Sequence, residues 1–253
     1  MLKTRIIPTL LYRDYGLVKG VAFDSWRHVG SLMQSIKVYN MRNVDELIIV
    51  DIKATNDGRK PDFGWVNDFA DDCFMPLTVG GGVTDIDHVG GLLDAGADKV
   101  AMNTAAVDNP ILISQVANKY GSQCAIVSID FKRHEDGYLE VVTNSGKNQR
   151  GIDLVEFAKE AESRGAGEIL MTSVELDGTM KGYDLEAVKA VSDAVSIPVI
   201  ASGGAGNYEH MLQAIQQGGA TAVAAASIFH FTEQTPAEAR SHLRKAGIPV
   251  RKD

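Results

Sequence analysis

The sequence predicts a single α/β domain folded as a (β/α)8 (TIM) barrel. Short runs rich in β-branched residues alternate with amphipathic, helix-like stretches along all 253 residues, as expected of eight βα units. No Pro- or Ser-rich linker divides the chain. A doubly wound open sheet is the alternative, but that fold usually has fewer strands or a second domain. The predicted strands are Arg5–Leu10, Leu47–Asp51, Pro76–Val79, Lys99–Met102, Cys124–Asp130, Glu168–Thr172, Pro198–Ala201 and Ala222–Ala225.

An internal repeat indicates that the barrel is built from two half-barrels. The run Pro76–Gly82 recurs in the second half of the chain as Pro198–Gly204, and Leu47–Asp51 recurs as Glu168–Thr172 at nearly the same spacing. Chance similarity between βα units could produce one matching Gly pair, but it is a poor explanation for several matches in order. We therefore expect half-barrels at about residues 1–122 and 123–253, related by a pseudo-twofold axis along the barrel.

Composition excludes several classes of protein. The chain carries 25 basic and 33 acidic residues, a net charge of −8, so it repels nucleic-acid backbones, and no apolar run approaches a membrane span. Its N-terminus does not resemble a signal peptide, and two cysteines, Cys73 and Cys124, do not make a disulfide framework, so we expect a cytoplasmic protein. The six histidines lack metal-ligand spacing, and we expect neither a metal nor a cofactor.

Two glycine-rich loops predict a ligand with a phosphate at each end. Gly81 and Gly82 follow the third strand, and Ser202, Gly203 and Gly204 follow the seventh. Glycine lets backbone N–H groups approach an anion closely, although a tight strand-to-helix turn is the alternative for either loop. Four residues at the neighbouring strand ends could complete the two phosphate sites: Asn103, Thr104, Ala226 and Ser227.

Carboxylates at strand ends are the candidates for catalysis and ligand binding. Asp130 ends the fifth strand, where a carboxylate faces the mouth of such a barrel, and we predict that it is catalytic. Asp51 and Asp177 could bind ligand or could instead cap their loops. The counterpart of Asp130 in the first half is Leu11, which cannot transfer a proton. The remaining ligand-binding candidates lie near the end of the sixth strand: Thr172 and Gly178.

Two longer segments are expected to reach the rim of the barrel. The segment Tyr12–Gly30 is interpreted as a long loop, and its Lys19 could reach an anionic ligand if the loop folds over the mouth. The alternative for Lys19 is a solvated loop lysine. The polar segment Phe131–Gly151 predicts a hairpin-like insert after the fifth strand.

Charged residues also lie at the opposite end of the predicted barrel. Arg5, Glu46, Lys99 and Glu168 all stand at or next to strand beginnings, where residues usually serve stability. From the residues alone, we interpret them as a ring of salt bridges that closes the barrel floor.

Strings distributed over nearly the whole chain occur in the same order in one known family. They are Arg5–Pro8, Val18–Val21, Thr78–Gly82, Ala95–Val100, Asn103, Gly165–Leu170, Asp177–Thr179, Gly182–Asp184, Ile200–Gly206 and Phe229–Phe231. In these strings the sequence resembles HisF, the cyclase subunit of imidazole glycerol phosphate synthase. The sister isomerase family of histidine biosynthesis, HisA, shares the half-barrel symmetry but not most of these strings.

The resemblance implies a partner and a path for ammonia. A HisH-type glutaminase would dock on the N-terminal face of the barrel, and ammonia would pass through the core to a bisphosphorylated substrate at the C-terminal face. The four charged floor residues match the family's ammonia gate, and this match favours a gate over structural salt bridges alone. The glycine loops match its two phosphate sites, and Asp130 matches one of its two catalytic aspartates.

The sequence departs from the family at the other catalytic aspartate. The family's first strand reads Pro-Cys-Leu-Asp-Val, whereas this chain has Pro8, Thr9, Leu10, Leu11 and Tyr12. General acid–base participation is typically worth about 10²–10⁴ in rate, so this loss should cripple the usual cyclisation unless another group substitutes. Asp14 is the only nearby carboxylate.

Three functions follow from these observations. A branch of HisF-like paralogues serves lipopolysaccharide and other surface-polysaccharide synthesis, and the lost aspartate favours it. There the barrel would supply ammonia for acetamidino formation on a sugar, with a sugar amidotransferase as a further partner. The first alternative is the authentic cyclase, a lyase of histidine biosynthesis, and the second is a conduit for ammonia that performs no chemistry.

Overall fold

The computed structural model describes residues 3–252. Its strands, in chain order, are β1 (Arg5–Arg13), β2 (Gly16–Val21), β3 (Asp24–Ser31), β4 (Leu47–Asp51), β5 (Leu77–Gly80), β6 (Lys99–Met102), β7 (Ala125–Arg133), β8 (Leu139–Thr143), β9 (Asn148–Asp153), β10 (Glu168–Ser173), β11 (Val199–Ser202) and β12 (Ala222–Ala225). Its helices are α1 (Leu32–Met41), α2 (Phe63–Ala70), α3 (Ile86–Asp94), α4 (Thr104–Asp108), α5 (Ile111–Tyr120), α6 (Leu154–Ser163), α7 (Leu185–Ala194), α8 (Tyr208–Gln216), α9 (Ser227–Phe231) and α10 (Pro236–Lys245).

Eight parallel strands close into a barrel, which confirms the predicted fold. They follow the order β1, β4, β5, β6, β7, β10, β11 and β12, and β12 pairs with β1 to close the ring. Seven of the ten α-helices within residues 3–252 begin with a side-chain cap. Asp153 accepts hydrogen bonds from the first-turn N–H groups of α6, and Asp85 does the same for α3. These cap residues therefore define where α3 and α6 begin after the preceding loop or strand.

Two hydrophobic layers hold the barrel together. Buried side chains between the strands and the surrounding helices form the larger layer, which includes Phe69 and Phe157. The smaller layer lies inside the barrel, where Ile7, Ile48 and Ile126 meet small residues contributed by β6 and β12. Alternate residues of each strand therefore face opposite layers, as the period-two geometry of a strand requires. Within the described residues, no helix is long and apolar enough to cross a membrane.

The prediction that the segment Tyr12–Gly30 forms a loop is wrong. Strand β1 continues beyond Leu10 to Arg13, and it pairs antiparallel with β2, which pairs in turn with β3. The turn between β1 and β2 consists of Asp14 and Tyr15, both with positive φ, which matches the twist of a hairpin. The sequence gives little indication that β1 pairs with β2, because the turn residues Asp14 and Tyr15 do not include the glycine that usually marks such a turn.

The second rim insert agrees with its prediction. Strand β7 extends past Asp130 to Arg133 and pairs antiparallel with β8, which pairs with β9. Both inserts follow the first strand of a predicted half-barrel.

Two histidines make matching contacts in the two predicted half-barrels. The Nδ1 atom of His88 accepts a hydrogen bond from the Thr84 N–H at 3.4 Å, and that of His210 accepts one from the Gly206 N–H at 3.2 Å. These two histidines lie at equivalent places in α3 and α8, directly after the two glycine-rich loops.

Candidate functional site

One large pocket lies at the C-terminal ends of the barrel strands. The space within it is about 1210 Å³, a figure that includes the solvent at its open mouth. Of the residues predicted to catalyse or bind, only Lys19 does not line this pocket. Those that line it are Asp51, Gly81, Gly82, Asn103, Thr104, Asp130, Thr172, Asp177, Gly178, Ser202, Gly203, Gly204, Ala226 and Ser227.

Asp130 is a buried carboxyl group at the base of the pocket. It is 9% exposed, and burial raises its pKa to about 7, with the nearby charge of Asp177 adding to the shift. Such a group exchanges its proton near neutral pH, which is what general acid–base chemistry requires. Leu11 lines the same pocket and contributes no ionisable group.

Asp14 does not replace the missing carboxylate. It lies in the β1–β2 turn with its side chain 62% exposed, where it forms ion pairs with Arg13 and Lys53. The antiparallel pairing of β1 with β2 carries this turn away from the pocket. Asp14 therefore belongs to the surface of the hairpin.

Lys19 and Asp177 are two further titratable groups, and their charges interact. Lys19 is 2% exposed, so it is not a solvated loop lysine, and its Nζ donates a hydrogen bond to the Thr9 carbonyl at 2.9 Å. Burial lowers its pKa to about 7 against the opposing effect of Asp177. Burial raises the pKa of Asp177 to about 6, although Lys19 and the Gly178 N–H partly offset it. Both groups therefore titrate close to neutral pH.

Asp51 caps its own loop, which was the structural alternative for this residue. Its Oδ1 accepts hydrogen bonds from the backbone N–H groups of Lys53 and Ala54, at 2.9 and 3.1 Å. Its Oδ2 pairs with Arg59 at 3.2 Å. Because both oxygens already have partners, Asp51 is less available to a ligand than Asp130.

The glycine-rich loops need glycine for close backbone approach as well as for any anion. Gly81 and Gly203 have left-handed φ values of 104° and 84°. A Cβ atom at Gly81 would lie 2.3 Å from the Asp51 carbonyl oxygen, and one at Gly203 would lie 2.7 Å from that of Ser173. Close packing against neighbouring backbone, the structural alternative for these loops, therefore holds at both residues, and the phosphate site stays a prediction.

Asn103 and Thr104 use their side chains to join neighbouring strands and loops. The Asn103 amide donates to the Ser128 carbonyl at 2.9 Å, and the Thr104 hydroxyl donates to the Asn103 side-chain oxygen at 3.2 Å. The same hydroxyl accepts a hydrogen bond from the Asn144 N–H at 3.1 Å, which ties the β8–β9 turn to the pocket wall.

The β2–β3 hairpin forms a roof over the pocket, and its aromatic contribution is the part that sequence reasoning missed. Two of its aromatic residues, Phe23 and Trp26, line the pocket. The Ala22 N–H donates to the Asp177 carbonyl at 2.8 Å, and the guanidinium of Arg27 lies 4.3 Å from the ring centroid of Phe231. The only signal for this contribution in the sequence is the presence of Phe23 and Trp26 in a segment that was interpreted as a loop.

The four charged residues at the opposite end of the barrel do form a closed ring. Arg5 pairs with Glu46 at 2.7 Å and with Glu168 at 2.8 Å, and Lys99 contacts the same two carboxylates at 3.0 and 2.8 Å. Thr78 donates a further hydrogen bond to Glu46 at 2.9 Å. Burial alone would raise the pKa of Glu168, but hydrogen bonds and charge from Arg5 and Lys99 lower it overall.

No group of three or more His, Cys, Asp or Glu side chains within residues 3–252 could hold a metal ion. Cys73 and Cys124 are both free, and burial raises the pKa of Cys73 to about 11, so its thiol is a poor nucleophile. The ionisable side chains that line the pocket are Asp51, Asp130 and Asp177.

Comparisons with known proteins agree with this geometry. A family model described as histidine biosynthesis protein matches residues 5–235. The imidazole glycerol phosphate synthase subunit HisF of Hyphomonas neptunium is 52% identical over 251 residues, which is 99% of each chain. The matched region contains the charged ring, both glycine-rich loops and Asp130. The chain belongs to the HisF family of histidine biosynthesis proteins.

Proposed function

We propose that this chain is the ammonia-using synthase subunit of a glutamine amidotransferase, with the cyclase activity of imidazole glycerol phosphate synthase. The observation that carries the proposal is the placement of two features at opposite ends of one barrel. A closed charged ring stands at the N-terminal end of the strands, and the pocket with Asp130 and two glycine-rich loops stands at the C-terminal end. The similarity to HisF supports the same activity.

The partner in this proposal is a HisH-type glutaminase on the N-terminal face. Ammonia released there would enter at the ring of Arg5, Glu46, Lys99 and Glu168, which acts as a gate. Beyond the ring, the barrel interior contains small apolar residues, including Ala101, Ala222 and Ala224. A neutral molecule of ammonia crosses such a layer more easily than an ammonium ion, because burying an unpaired charge is costly.

In the pocket, each group has a role that its environment supports. The loops at Gly81 and Gly203 would hold the two phosphates of the substrate through backbone N–H groups. Asp130 would transfer protons during ring closure, since its raised pKa keeps both protonation states populated near neutral pH. Lys19 would support an anionic group beside Asp177, and Asp51 would hold the rim loop in place.

The comparisons favour this cyclase over ammonia supply for sugar amidation, which they do not support. Leu11 is the one observation that favours the second candidate. With no carboxylate facing Asp130 from β1, the barrel would deliver ammonia to a separate sugar amidotransferase of surface-polysaccharide synthesis. The two candidates share the fold, the ring and the glutaminase, and they differ in whether this pocket closes an imidazole ring.

Turnover of the wild-type protein, measured beside a variant with a carboxylate at position 11, distinguishes the two candidates. We expect wild-type protein to turn over the bisphosphate substrate of imidazole glycerol phosphate synthase with ammonium salt. We expect Leu11→Asp to raise this rate by about tenfold or more, because a second proton-transfer group becomes available. Steady-state turnover is the measurement, and Leu11→Asn is the matched control that fills the same space without a carboxylate.

Activity in wild-type protein supports the cyclase whatever the variant does. If wild-type protein is inactive and only Leu11→Asp turns over, the pocket derives from a cyclase that now serves ammonia delivery. If both are inactive, cyclisation is excluded, and the sugar-amidation candidate takes its place.

The phosphate role of the second glycine-rich loop has its own test. We expect Gly203→Ala to weaken binding of inorganic phosphate by about tenfold or more, because the new Cβ would collide with the Ser173 carbonyl and displace the loop. Isothermal titration calorimetry measures the affinity. Gly137→Ala is the control, since Gly137 has a similar φ of 88° and a Cβ atom there would meet no other atom within 4 Å. Equal affinities in the two variants would contradict a phosphate site at this loop.

A further inference from the structure

We propose that Asp177 is a second catalytic residue of the pocket, which accepts a proton from the incoming nitrogen while Asp130 donates one to the departing oxygen. Both residues line the pocket. They also follow neighbouring strands, since Asp130 lies on β7 and Asp177 lies in the loop after β10, which pairs with β7. The proposal rests on the proposed function, because it takes ammonia to react in this pocket, and it adds the proton acceptor.

The chemistry of ammonia calls for two groups in opposite protonation states. When ammonia condenses with a carbonyl carbon, a C=N bond forms, the C=O bond breaks and water leaves. The nitrogen loses two protons in this process and the oxygen gains two, so the protons balance. A base beside the nitrogen and an acid beside the oxygen carry these transfers, and the acid is regenerated when the base passes its proton to it. One carboxyl group cannot hold both states at the same time.

Asp177 is the available partner for Asp130 among the ionisable side chains that line the pocket. The third such side chain, Asp51, already uses Oδ1 for the N–H groups of its own loop and Oδ2 for Arg59. The Asp177 carboxylate accepts a hydrogen bond from the Gly178 N–H. A carboxylate has about four acceptor positions, so this single bond leaves Asp177 free to accept a proton from a ligand.

The backbone of Asp177 is held from two sides at the pocket wall. Its N–H donates to the Ser173 carbonyl at 3.0 Å, and its carbonyl accepts a hydrogen bond from the Ala22 N–H at 2.8 Å. A Cβ atom at Gly178 would lie 2.2 Å from the carbonyl oxygen of Gly20, so β2 packs directly on this loop. A fixed backbone keeps the carboxylate in position before the reaction begins, as proton transfer requires.

The surroundings of the two carboxyl groups favour opposite protonation states at neutral pH. Burial raises the pKa of Asp130 to about 7, and the charge of Asp177 adds to this shift. Burial also raises the pKa of Asp177, but the charge of Lys19 and the Gly178 N–H limit the rise, to about 6. Near pH 7, Asp177 is therefore mainly ionised, whereas Asp130 keeps a large protonated fraction. Such a separation of pKa values is typical of an acid and a base that act together.

The predicted half-barrel counterpart of Asp177 provides a matched control. The pair Asp57–Gly58 in the first half of the chain corresponds to Asp177 and Gly178 in the second half. The side chain of Asp57 is 33% exposed, and it pairs with Lys53 at 3.5 Å and with Arg59 at 3.3 Å. Asp57 is thus the same residue type in a corresponding loop, but it is held by cations at the surface.

Substitution of Asp177 in two backgrounds tests the proposal. We expect Asp177→Asn to lower steady-state turnover with ammonium salt by about 10²-fold or more. In the Leu11→Asp protein, which has a further carboxylate in the same pocket, Asp177→Asn should lower turnover by less than about 10-fold. Asp57→Asn should stay within about twofold of its parent in both backgrounds. Far-ultraviolet circular dichroism checks that each variant remains folded.

The pH profile is a readout that a structural role would not change. At equal concentrations of free ammonia, the advantage of wild-type protein over Asp177→Asn should shrink as the pH falls below about 6, because protonation of Asp177 removes the base. Lys19 on β2 and Asp130 on β7 are the titratable groups whose charges interact with Asp177. Both remain in the variant, so their titration affects the two proteins alike.

The outcomes separate this proposal from the proposed function. If wild-type protein is inactive, the proposed function falls and the role of Asp177 falls with it. If wild-type protein is active and Asp177→Asn keeps most of its turnover, Asp177 is not catalytic, while the proposed function stands. An equal loss in both backgrounds, or an advantage of wild-type protein that does not change with pH, would give Asp177 a structural or binding role and overturn the proposal.

Discussion

Asp130→Asn is expected to lower ammonium-dependent turnover by about 10²–10⁴-fold while leaving the fold intact. The reason is that the amide cannot exchange a proton, whereas the carboxyl group, with a pKa raised to about 7, can do so near neutral pH. Steady-state kinetics with ammonium salt measure the effect without involving the glutaminase. Unchanged turnover would instead support a conduit that performs no chemistry.

The same substitution is expected to stabilise the protein at pH 8. Burial and the charge of Asp177 raise the folded-state pKa of Asp130, so the folded protein binds more protons than the unfolded chain between about pH 4 and 7. Stability from this group therefore falls as pH rises through that range. Asparagine resembles the protonated form, and we expect a gain of about 2–4 kcal/mol in the free energy of unfolding at pH 8.

The gain should disappear at pH 3, where the carboxyl group is protonated in both states. Urea denaturation at the two pH values measures the difference. Glu135→Gln, on an exposed part of the β7–β8 connection, is the control and should change stability by less than about 0.5 kcal/mol at either pH. A destabilised Asp130→Asn protein at pH 8 would show that Asp130 is structural.

The second large effect is expected from Arg5→Met at the charged ring. The side chains of Glu46 and Glu168 are only 3% and 12% exposed, and loss of Arg5 leaves these two carboxylates with Lys99 as the only cation of the ring. Breaking a buried ion pair on one side typically costs 3–5 kcal/mol, so we expect a loss of about 3 kcal/mol in the free energy of unfolding. Chemical denaturation at pH 7 measures it.

The ring also has a functional readout if it acts as the ammonia gate. In a complex with a HisH-type glutaminase, Arg5→Met should reduce glutamine-dependent turnover more than ammonium-dependent turnover, because only the first requires passage through the ring. Lys159→Met is the control, since it removes only an exposed ion pair with Glu156. It should change neither the free energy of unfolding nor the ratio of glutamine-dependent to ammonium-dependent turnover by a measurable amount. If both activities fall equally, the ring serves stability alone.

The alternation of strand-like and helix-like segments along the sequence was enough to predict the barrel and most of the residues that line its pocket. Parallel strands place their C-terminal ends at one rim, so residues such as Asp130 and Gly203 could be assigned to one site from their places after strands. The ring could be predicted for the same reason, because Arg5 and Glu168 both begin strands. Such positions can be predicted from the strand pattern alone, because parallel strands place their equivalent ends at the same end of the barrel.

The tertiary structure alone decided the state of individual groups. Asp51 caps its own loop and pairs with Arg59, and Lys19 is buried rather than solvated. The burial of Lys19 depends on residues that are distant in the chain. The hairpin that carries Trp26 could not be recognised, because its turns use non-glycine residues with positive φ. The positions of strands along the chain follow from local sequence patterns, whereas desolvation, ion pairing and pKa shifts arise from neighbours that only folding brings together.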